Sequence, residues 1–137
     1  MCRSVYDGTR SQKGERIICT KEYTKDTAEI TCCENVVTIP DILVNLVALD
    51  CNWTKITSIP DTLVDLVKLD CSGTLITEIP TEAINLNCNG TLITALPDTL
   101  VNLVTLDCRD TQISTLPAKA INLVCLDCKW TQITEIL

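Results

Sequence analysis

One spacing governs most of this sequence. Five prolines stand at positions 40, 60, 80, 97 and 117, and cysteines at 51, 71, 88, 108 and 128 follow with the same steps of 20, 20, 17 and 20 residues. A fixed period of this length indicates stacked repeats, in which each unit buries its apolar side chains against its neighbours because no unit can enclose a core alone. We therefore expect a solenoid, and 137 residues fit one domain.

Each unit contains a short segment in which apolar and polar residues alternate. In the first unit, Leu49 and Cys51 alternate with Asp50 and Asn52. A period of two is typical of a strand with one buried face. Parallel pairing of such strands needs a connection of a dozen or more residues, which a 20-residue coil supplies. The remaining apolar residues are expected to complete a buried ring: Ile56, Ile59, Leu63 and Leu66.

From Leu46 to Leu63 the unit reads L-x-x-L-x-C-x-x-T-x-I-x-x-I-P-x-x-L. This frame resembles the leucine-rich repeat, L-x-x-L-x-L-x-x-N-x-L-x-x-L, in the short 20-residue bacterial subclass found in IpaH-like and YopM-like effectors. The resemblance covers about 100 residues from Val36 onward. Cysteine replaces the leucine of the sixth position and threonine the asparagine of the ninth, a combination that is also reminiscent of repeat proteins encoded by giant viruses of amoebae.

The resemblance implies a leucine-rich repeat solenoid that is right-handed, with a parallel concave β-sheet, mostly irregular convex arches and little helix. We number the positions of each coil from its first leucine, so that Leu46 is position one. In the family, the position-nine asparagines bind backbone groups buried beneath the strands. A hydroxyl has fewer donors and acceptors than an amide, so we expect a thinner hydrogen-bond ladder from Thr54, Thr74, Thr91, Thr111 and Thr131.

The third unit is shorter than the others. Its sequence, IPTEAINLNCNGT, lacks three residues. By similarity to the last unit, Leu86 would be position one, whereas strand geometry places it at position four, beside Cys88. We favour position four, because this keeps the strand intact and shortens the arch behind it.

Residues 1–35 are interpreted as an amino-terminal cap and residues 36–137 as about five repeats. A solenoid exposes an apolar ring at its end unless a cap covers it. Two β-favouring runs, Ile17 to Tyr23 and Ala28 to Cys33, flank a polar turn and predict a β-hairpin cap. Cys32 is expected at position six of a first repeat that is one residue short.

At the other end, the sequence stops at Leu137, where earlier units continue into their arch. Three alternatives follow: the native chain ends uncapped, the sequence is a fragment, or a second copy covers the exposed edge strand. The last alternative predicts a homodimer through the carboxy-terminal end, with self-association residues Ile133, Ile136 and Leu137.

The chain contains no histidine, which removes the commonest general base and the commonest transition-metal ligand. No glycine-rich phosphate loop or nucleophile elbow occurs, so we expect no enzyme, no catalytic residue, no metal and no cofactor. The net charge of −7 disfavours nucleic acid and anionic membrane surfaces, and no apolar run is long enough to span a bilayer. The amino terminus shows no secretory signal, which favours a cytoplasmic location, including the cytoplasm of a host cell.

Six of the ten cysteines fall at one repeated position, which is not the irregular spacing of a disulfide framework. In stacked parallel strands these six would lie roughly 4.8 Å apart, with Cβ atoms farther apart than a disulfide requires. We interpret them as reduced, buried fillers, with zinc binding or redox chemistry as the alternative. Cys125, at an outward third position, is expected to be the most reactive thiol of the repeats. Cys19 could pair with Cys32 or Cys33.

Outward strand residues form the only broad candidate surface. The candidate partner-binding residues occupy positions three, five and seven of successive coils: Asp50, Asn52, Lys68, Asp70, Asn87, Asn89, Asp107, Arg109, Asp127 and Lys129. Trp53 and Trp130 stand at position eight and are candidate interface anchors. The alternatives are that the polar residues are a solvated exterior and that each tryptophan covers the edge of its ring.

The resemblance implies protein recognition through the concave strands. The leading interpretation is a non-catalytic protein-binding module whose partner presents a basic or amphipathic segment. The alternative is a self-assembling scaffold that associates through its carboxy-terminal end. A third interpretation is thiol chemistry at Cys125 or an activity supplied by a fused domain. The sequence names neither the ligand nor the pathway.

Overall fold

Seven short strands lie side by side in one parallel sheet. The structure, a computed structural model, describes residues 16–17, 25–79 and 82–136. The strands follow one another in chain order across the sheet, and every neighbouring pair is parallel. They are β1 (Arg16–Ile17), β2 (Glu29–Cys32), β3 (Ala48–Asp50), β4 (Lys68–Asp70), β5 (Asn85–Asn87), β6 (Thr105–Asp107) and β7 (Cys125–Asp127). The described residues contain no α-helix, and among them nothing forms a helix long and apolar enough to cross a membrane.

The strand register confirms the repeat frame. The position-four leucines stand opposite one another from β3 to β7: Leu49, Leu69, Leu86, Leu106 and Leu126. Leu86 therefore occupies position four, as strand geometry predicted, and the missing residues of the third unit are lost from its return arch. Ile30 stands opposite Leu49, 19 residues later. This spacing confirms that Cys32 is at position six of a shortened first repeat.

The expectation of an amino-terminal hairpin is wrong for the residues that the structure describes. β1 runs parallel to β2, with Arg16 opposite Thr31 and Ile17 opposite Cys32. A hairpin would require these strands to be antiparallel. The partners are 15 residues apart in the sequence, which is enough for a crossover that starts a new parallel strand instead of turning the chain back. Residues 18–24, which would form most of the hairpin, lie outside the described residues.

Each coil surrounds a ring of apolar side chains that lies against the rings of the neighbouring coils. Ring members of the inner coils expose at most 2% of their surface, among them Leu46, Leu49, Cys51, Ile56, Leu63, Leu69, Cys71 and Ile76. The equivalent residues of the last coil are only half-buried: Leu123, Leu126, Cys128 and Ile133. Residues of the same type are therefore less buried where a coil has a described neighbour on one side only.

Backbone hydrogen bonds between coils continue past the strands. From the coil of β3 to that of β6, the amides at positions six and eight donate to the carbonyls at positions five and seven of the next coil. Cys51 donates to Asp70 and Trp53 donates to Ser72, each at 2.8 Å. At Pro40, Pro60, Pro97 and Pro117 the return arch begins with a turn, in which the proline carbonyl accepts the N–H three residues later.

Position eight has a left-handed backbone conformation in all five coils from β3 to β7. The φ angle is 54° at Trp53, 65° at Gly73 and Gly90, 54° at Asp110 and 56° at Trp130. Glycine adopts this conformation without strain, whereas a bulky residue is held there at a cost of about 1–3 kcal/mol. The Trp53 ring lies over Gly73, since a Cβ atom added at Gly73 would come within 2.5 Å of Trp53 Cε3.

Replacing Gly73 by alanine should destabilise the fold more than replacing Gly90. Both variants put a side chain in the left-handed region, which costs roughly 1–2 kcal/mol in each. At Gly73 the added methyl group also displaces the Trp53 ring, whereas at Gly90 the nearest atom, the backbone nitrogen of Gly73, lies 3.9 Å away.

In urea unfolding, we expect the Gly73→Ala variant to lose about 1 kcal/mol more than the Gly90→Ala variant, the scale of one aromatic packing contact. In a Trp53→Ala background this difference should vanish, because there is no ring to displace. Equal losses for the two variants in the native background would show that the ring makes no energetic contact with Gly73.

Candidate binding surface

The outward side chains of β3 to β7 and of the residues that follow them form one face, which we call the concave face. It consists of positions three, five and seven of each coil, and the sheet register aligns these positions from coil to coil. Every predicted partner-binding residue of the strands belongs to it. Their exposure differs. Lys68 and Lys129 are exposed, Asp70 and Asn87 are buried, and the others are half-buried.

The position-five side chains close the turn at the end of each strand. One oxygen of this side chain accepts the backbone N–H of position seven in the same coil, at 3.0–3.4 Å. The amides at positions six and eight donate to the next coil, so the amide between them needs a local acceptor. That acceptor is, in successive coils, Asp50, Asp70, Asn87, Asp107 and Asp127.

This structural role of the position-five residues, which form an acidic column, was not predicted from the sequence. They were interpreted there only as part of an outward surface. Its signal was present, since an Asp or Asn stands two residues before every turn residue of position seven. Such residues commonly bind the backbone two positions later and stabilise a turn. The carboxylates therefore have a role in the fold, whatever they contact outside it.

The centre of the concave face is a small buried polar cluster. Asp70, Ser72 and Asn87 expose only 5%, 6% and 7% of their surfaces. Asp70 Oδ1 accepts the Ser72 hydroxyl at 2.6 Å and the Ser72 backbone N–H at 3.0 Å, and its Oδ2 lies 3.4 Å from Asn87 Nδ2. Burial raises the pKa of Asp70 to about 6, and the Ser72 hydrogen bonds offset part of this effect. Asp70 and Asn87, both predicted to bind a partner, are thus covered in this structure.

Toward β7 the acidic column is neutralised by cations. Arg109 binds Asp107 with both arms of its guanidinium, Nε to Oδ1 at 2.9 Å and Nη2 to Oδ2 at 2.7 Å. Arg109 Nε also lies 3.5 Å from Asp127 Oδ2, and Lys129 Nζ lies 3.9 Å from the same oxygen. A bidentate pair holds its side chains in one geometry. This half of the face is therefore a mixed-charge surface and not an acidic groove.

Two solved structures share this arrangement of coils. An internalin from Listeria monocytogenes aligns with a TM-score of 0.64 at 18% identity, over 77% of this chain and 36% of the internalin. A leucine-rich-repeat protein of Leptospira interrogans aligns with a TM-score of 0.65 at 23% identity, over 80% of this chain and 33% of that protein. The chain has the leucine-rich-repeat fold.

At these identities the likeness concerns the fold alone. The chain spans about a third of the length of each of the two structures. Neither a protein-family model nor a curated protein matches the sequence.

The position-nine threonines bind within their own coil. Each hydroxyl donates to the carbonyl of the position-six cysteine three residues earlier, at 2.6–2.7 Å. The threonines thus bind buried carbonyls of the turn. These bonds stay within one coil, so they do not form the expected ladder from coil to coil. A threonine hydroxyl is too short to reach the next coil, and the backbone amides at positions six and eight make that connection instead.

The buried position-six thiols of Cys51, Cys71, Cys88 and Cys108 are neutral fillers of the leucine-rich-repeat core. Burial raises the pKa of Cys51 and of Cys71, and it raises the pKa of Cys108 to about 12. Cys51 Sγ donates to the Asp70 carbonyl and Cys71 Sγ to the Asn87 carbonyl, each at 3.4 Å. Among the described residues, no three side chains of His, Cys, Asp or Glu are grouped so that they could hold a metal ion.

Residues of the last coil and of the segment before β7 surround an open cavity at the end of the stack. The cavity measures about 490 Å³, and its lining includes Leu116, Pro117, Ile121, Val124, Leu126 and Ile136. Of the predicted self-association residues, Ile133 is half-buried and Ile136 is 65% exposed, while Leu137 lies outside the described residues. Trp53 and Trp130, at the edge of the concave face, are 74% and 76% exposed. Cys125 is half-buried on β7, and its predicted reactivity stays a prediction.

Removing the charge of Asp70 should change the pH dependence of stability. Because its folded pKa is about 6 against an ordinary value of 3.8, the group stabilises the fold at low pH, and this contribution is lost as the pH rises through 6. The loss is up to about 3 kcal/mol between pH 4 and 7.5. The Asp70→Asn variant, which keeps an oxygen for Ser72, should not suffer it.

The measurement is urea unfolding of the native chain and the variant at both pH values. The advantage of the Asp70→Asn variant over the native chain should grow from pH 4 to pH 7.5. Asp98→Asn, on an exposed arch, removes the same charge and serves as the control. A difference between the variant and the native chain that is the same at both pH values would disprove the buried-carboxylate account.

Proposed function

We propose that this chain is a non-catalytic protein-binding module that recognises its partner through the concave face. The supporting observation is that polar side chains on this face are held in place before any partner arrives. The position-five residues are fixed by the position-seven amides, and Arg109 is fixed by Asp107. Side chains that are already ordered lose less conformational entropy on binding.

The accessible part of the face fits an amphipathic protein segment. Lys68, Lys129 and the half-buried amides of Asn52 and Asn89 offer charged and hydrogen-bonding groups along the strands. The exposed rings of Trp53 and Trp130 stand at the two ends of the edge and are proposed as apolar anchors. The half-buried Asp50 adds a hydrogen-bond acceptor, whereas Asp127 is already paired with Arg109 and Lys129. Asp70, Asn87 and Asp107 act as supports of this surface.

We also propose that the module acts in a cytoplasm, including that of a host cell. The position-six thiols pack as neutral side chains, which suits a reducing compartment. The same proposal includes two alternative origins. One is bacterial, with IpaH-like or YopM-like repeats, and the other is a giant virus. That part rests on the short period and on the cysteine and threonine columns of the sequence.

Reversing exposed charges on the concave face should abolish partner capture. A double variant, Lys68→Glu with Lys129→Glu, alters the two exposed cations without removing a position-five acceptor. In affinity capture followed by mass spectrometry, proteins retained by the native chain should be lost by the double variant. Lys119→Glu, on the arch of the last coil, makes the same type of change away from the face and should retain them. Equal capture by all three would remove the concave-face proposal.

A second candidate function is self-association through the end of the stack. The last ring is half-buried, a cavity of about 490 Å³ lies beside it, and the amides of Cys128 and Trp130 have no following coil among the described residues. Amides at these positions donate to the next coil from β3 to β6. A second copy could accept them by pairing with β7.

Ile136→Lys should lower the molar mass measured by light scattering at high protein concentration, because it puts a charge into the apolar end. Val37→Lys, which changes another exposed residue near the opposite end of the repeats, should leave the mass unchanged. If the native chain is a monomer at every concentration, the scaffold function is wrong, while the concave-face proposal is unaffected.

A further inference from the structure

An apolar ridge runs along the edge where each return arch enters its strand. Its inner column is formed by the residues just before position three: Val47, Val67, Ile84, Val104 and Val124. Its outer column lies three residues earlier in each full-length arch and contains Val44, Val64, Val101 and Ile121. The inner column is continuous, because each backbone N–H donates to the carbonyl of the preceding member at 2.8–2.9 Å.

The ridge residues do not belong to the buried ring. Val64, Ile121 and Val124 expose 73%, 85% and 78% of their surfaces, and Val44 and Val47 expose 38% and 40%. The other four members are half-buried: Val67, Ile84, Val101 and Val104. The leucines between them in the sequence fill the core, so the five exposed members could be polar with little loss of packing. Single exposed apolar residues need no explanation, but a contiguous stripe of them indicates an interaction site.

The charges beside the ridge select the kind of partner. The exposed cation nearest to the ridge in the sequence is Lys68, which follows Val67. The five arches themselves carry one lysine, Lys119, against five exposed carboxylates: Asp41, Asp61, Asp65, Glu82 and Asp98. Two copies of the chain joined ridge to ridge would bring these carboxylates together, and an anionic lipid surface would be repelled in the same way. A partner with basic residues flanking an apolar stripe is complementary.

The spacing of the ridge matches a helix. Neighbouring coils of a parallel sheet are about 4.8 Å apart, and one turn of an α-helix rises about 5.4 Å, so successive turns can place one apolar side chain on each coil. Five coils span roughly 19 Å, the length of about 13 helical residues. In the third coil, Ile84 continues the inner column between Val67 and Val104.

We propose that this ridge docks a basic amphipathic helix of a partner protein. The helix lays its apolar stripe along the two columns, and its lysines or arginines meet the carboxylates of the arches. The site lies on a different edge of the coil from the concave face and does not depend on that face being a binding surface.

The test uses two synthetic, fluorescein-labelled 14-residue peptides. One is an amphipathic helix of leucine and lysine, and the other has the same apolar face with every lysine replaced by glutamate. Fluorescence anisotropy at physiological salt should show binding of the lysine peptide and not of its glutamate twin. Binding of both, or of neither, would overturn the proposal.

Two pairs of substitutions then locate the site. Val64→Ser with Val47→Ser removes apolar surface from the ridge and should weaken binding of the lysine peptide at least tenfold. Leu75→Ser with Leu92→Ser changes two residues that are similarly exposed, at 48% and 56%, in the arm of the coil that follows the strand. This control pair should bind as the native chain does. Equal weakening by both pairs would mean that the peptide binds without a defined site.

A charge variant keeps the proposal testable if the serine pair folds poorly. Asp61→Lys with Asp65→Lys leaves every ridge side chain in place and should weaken the lysine peptide and admit the glutamate twin. An unchanged preference would contradict the charge argument. Binding of the native chain to phosphatidylserine vesicles would assign the ridge to membranes, and a dimer that the ridge serines dissociate would assign it to a second copy. Each result would reject the helix.

Discussion

Apolar burial between coils is the interaction on which the rest of the structure depends. Leu49 and Leu69 are almost fully buried, whereas Leu126, at the same position in the last coil, is only half-buried. The sequence around the three leucines is similar, so the difference comes from the neighbouring coil and not from the coil itself. Stability is therefore close to a sum of contacts between adjacent coils. Outward positions contribute little to that sum, which leaves them free to serve binding.

Backbone hydrogen bonding sets the limits of that freedom. The chain leaves each strand through a turn whose buried amides and carbonyls all need partners. Amides at positions six and eight use the next coil, the amide at position seven uses a position-five side chain, and the carbonyl at position six uses a threonine hydroxyl. Asp, Asn and Thr recur at positions five and nine for this reason. A recurring polar residue in a repeat is evidence of binding only after its role in the turn has been accounted for.

Features that follow from the repeat period were predicted correctly from the sequence. Features that depend on contacts between residues in the folded chain were not. Spacing was enough to place Leu86 at position four and Cys32 at position six. The parallel pairing of Arg16–Ile17 with β2 was not predicted, because two β-favouring runs around a polar turn do not reveal the strand direction. Periodicity showed that Asp70 points outward, but not that Ser72 and Asn87 cover it. The apolar ridge was overlooked because its residues occupy positions whose residue type the repeat frame leaves open.

At both tryptophans the backbone is strained while the ring remains mostly exposed, which favours a role outside the fold. Position eight requires a left-handed backbone, which Gly73, Gly90 and Asp110 adopt more readily than a bulky side chain. Trp53 recovers part of its strain by covering Gly73, but 74% of its surface remains exposed. Trp130 is equally strained and 76% exposed, with no following coil among the described residues. At neither tryptophan does burial of the ring offset the backbone strain of about 1–3 kcal/mol. This supports the proposed use of the two rings as anchors for a partner.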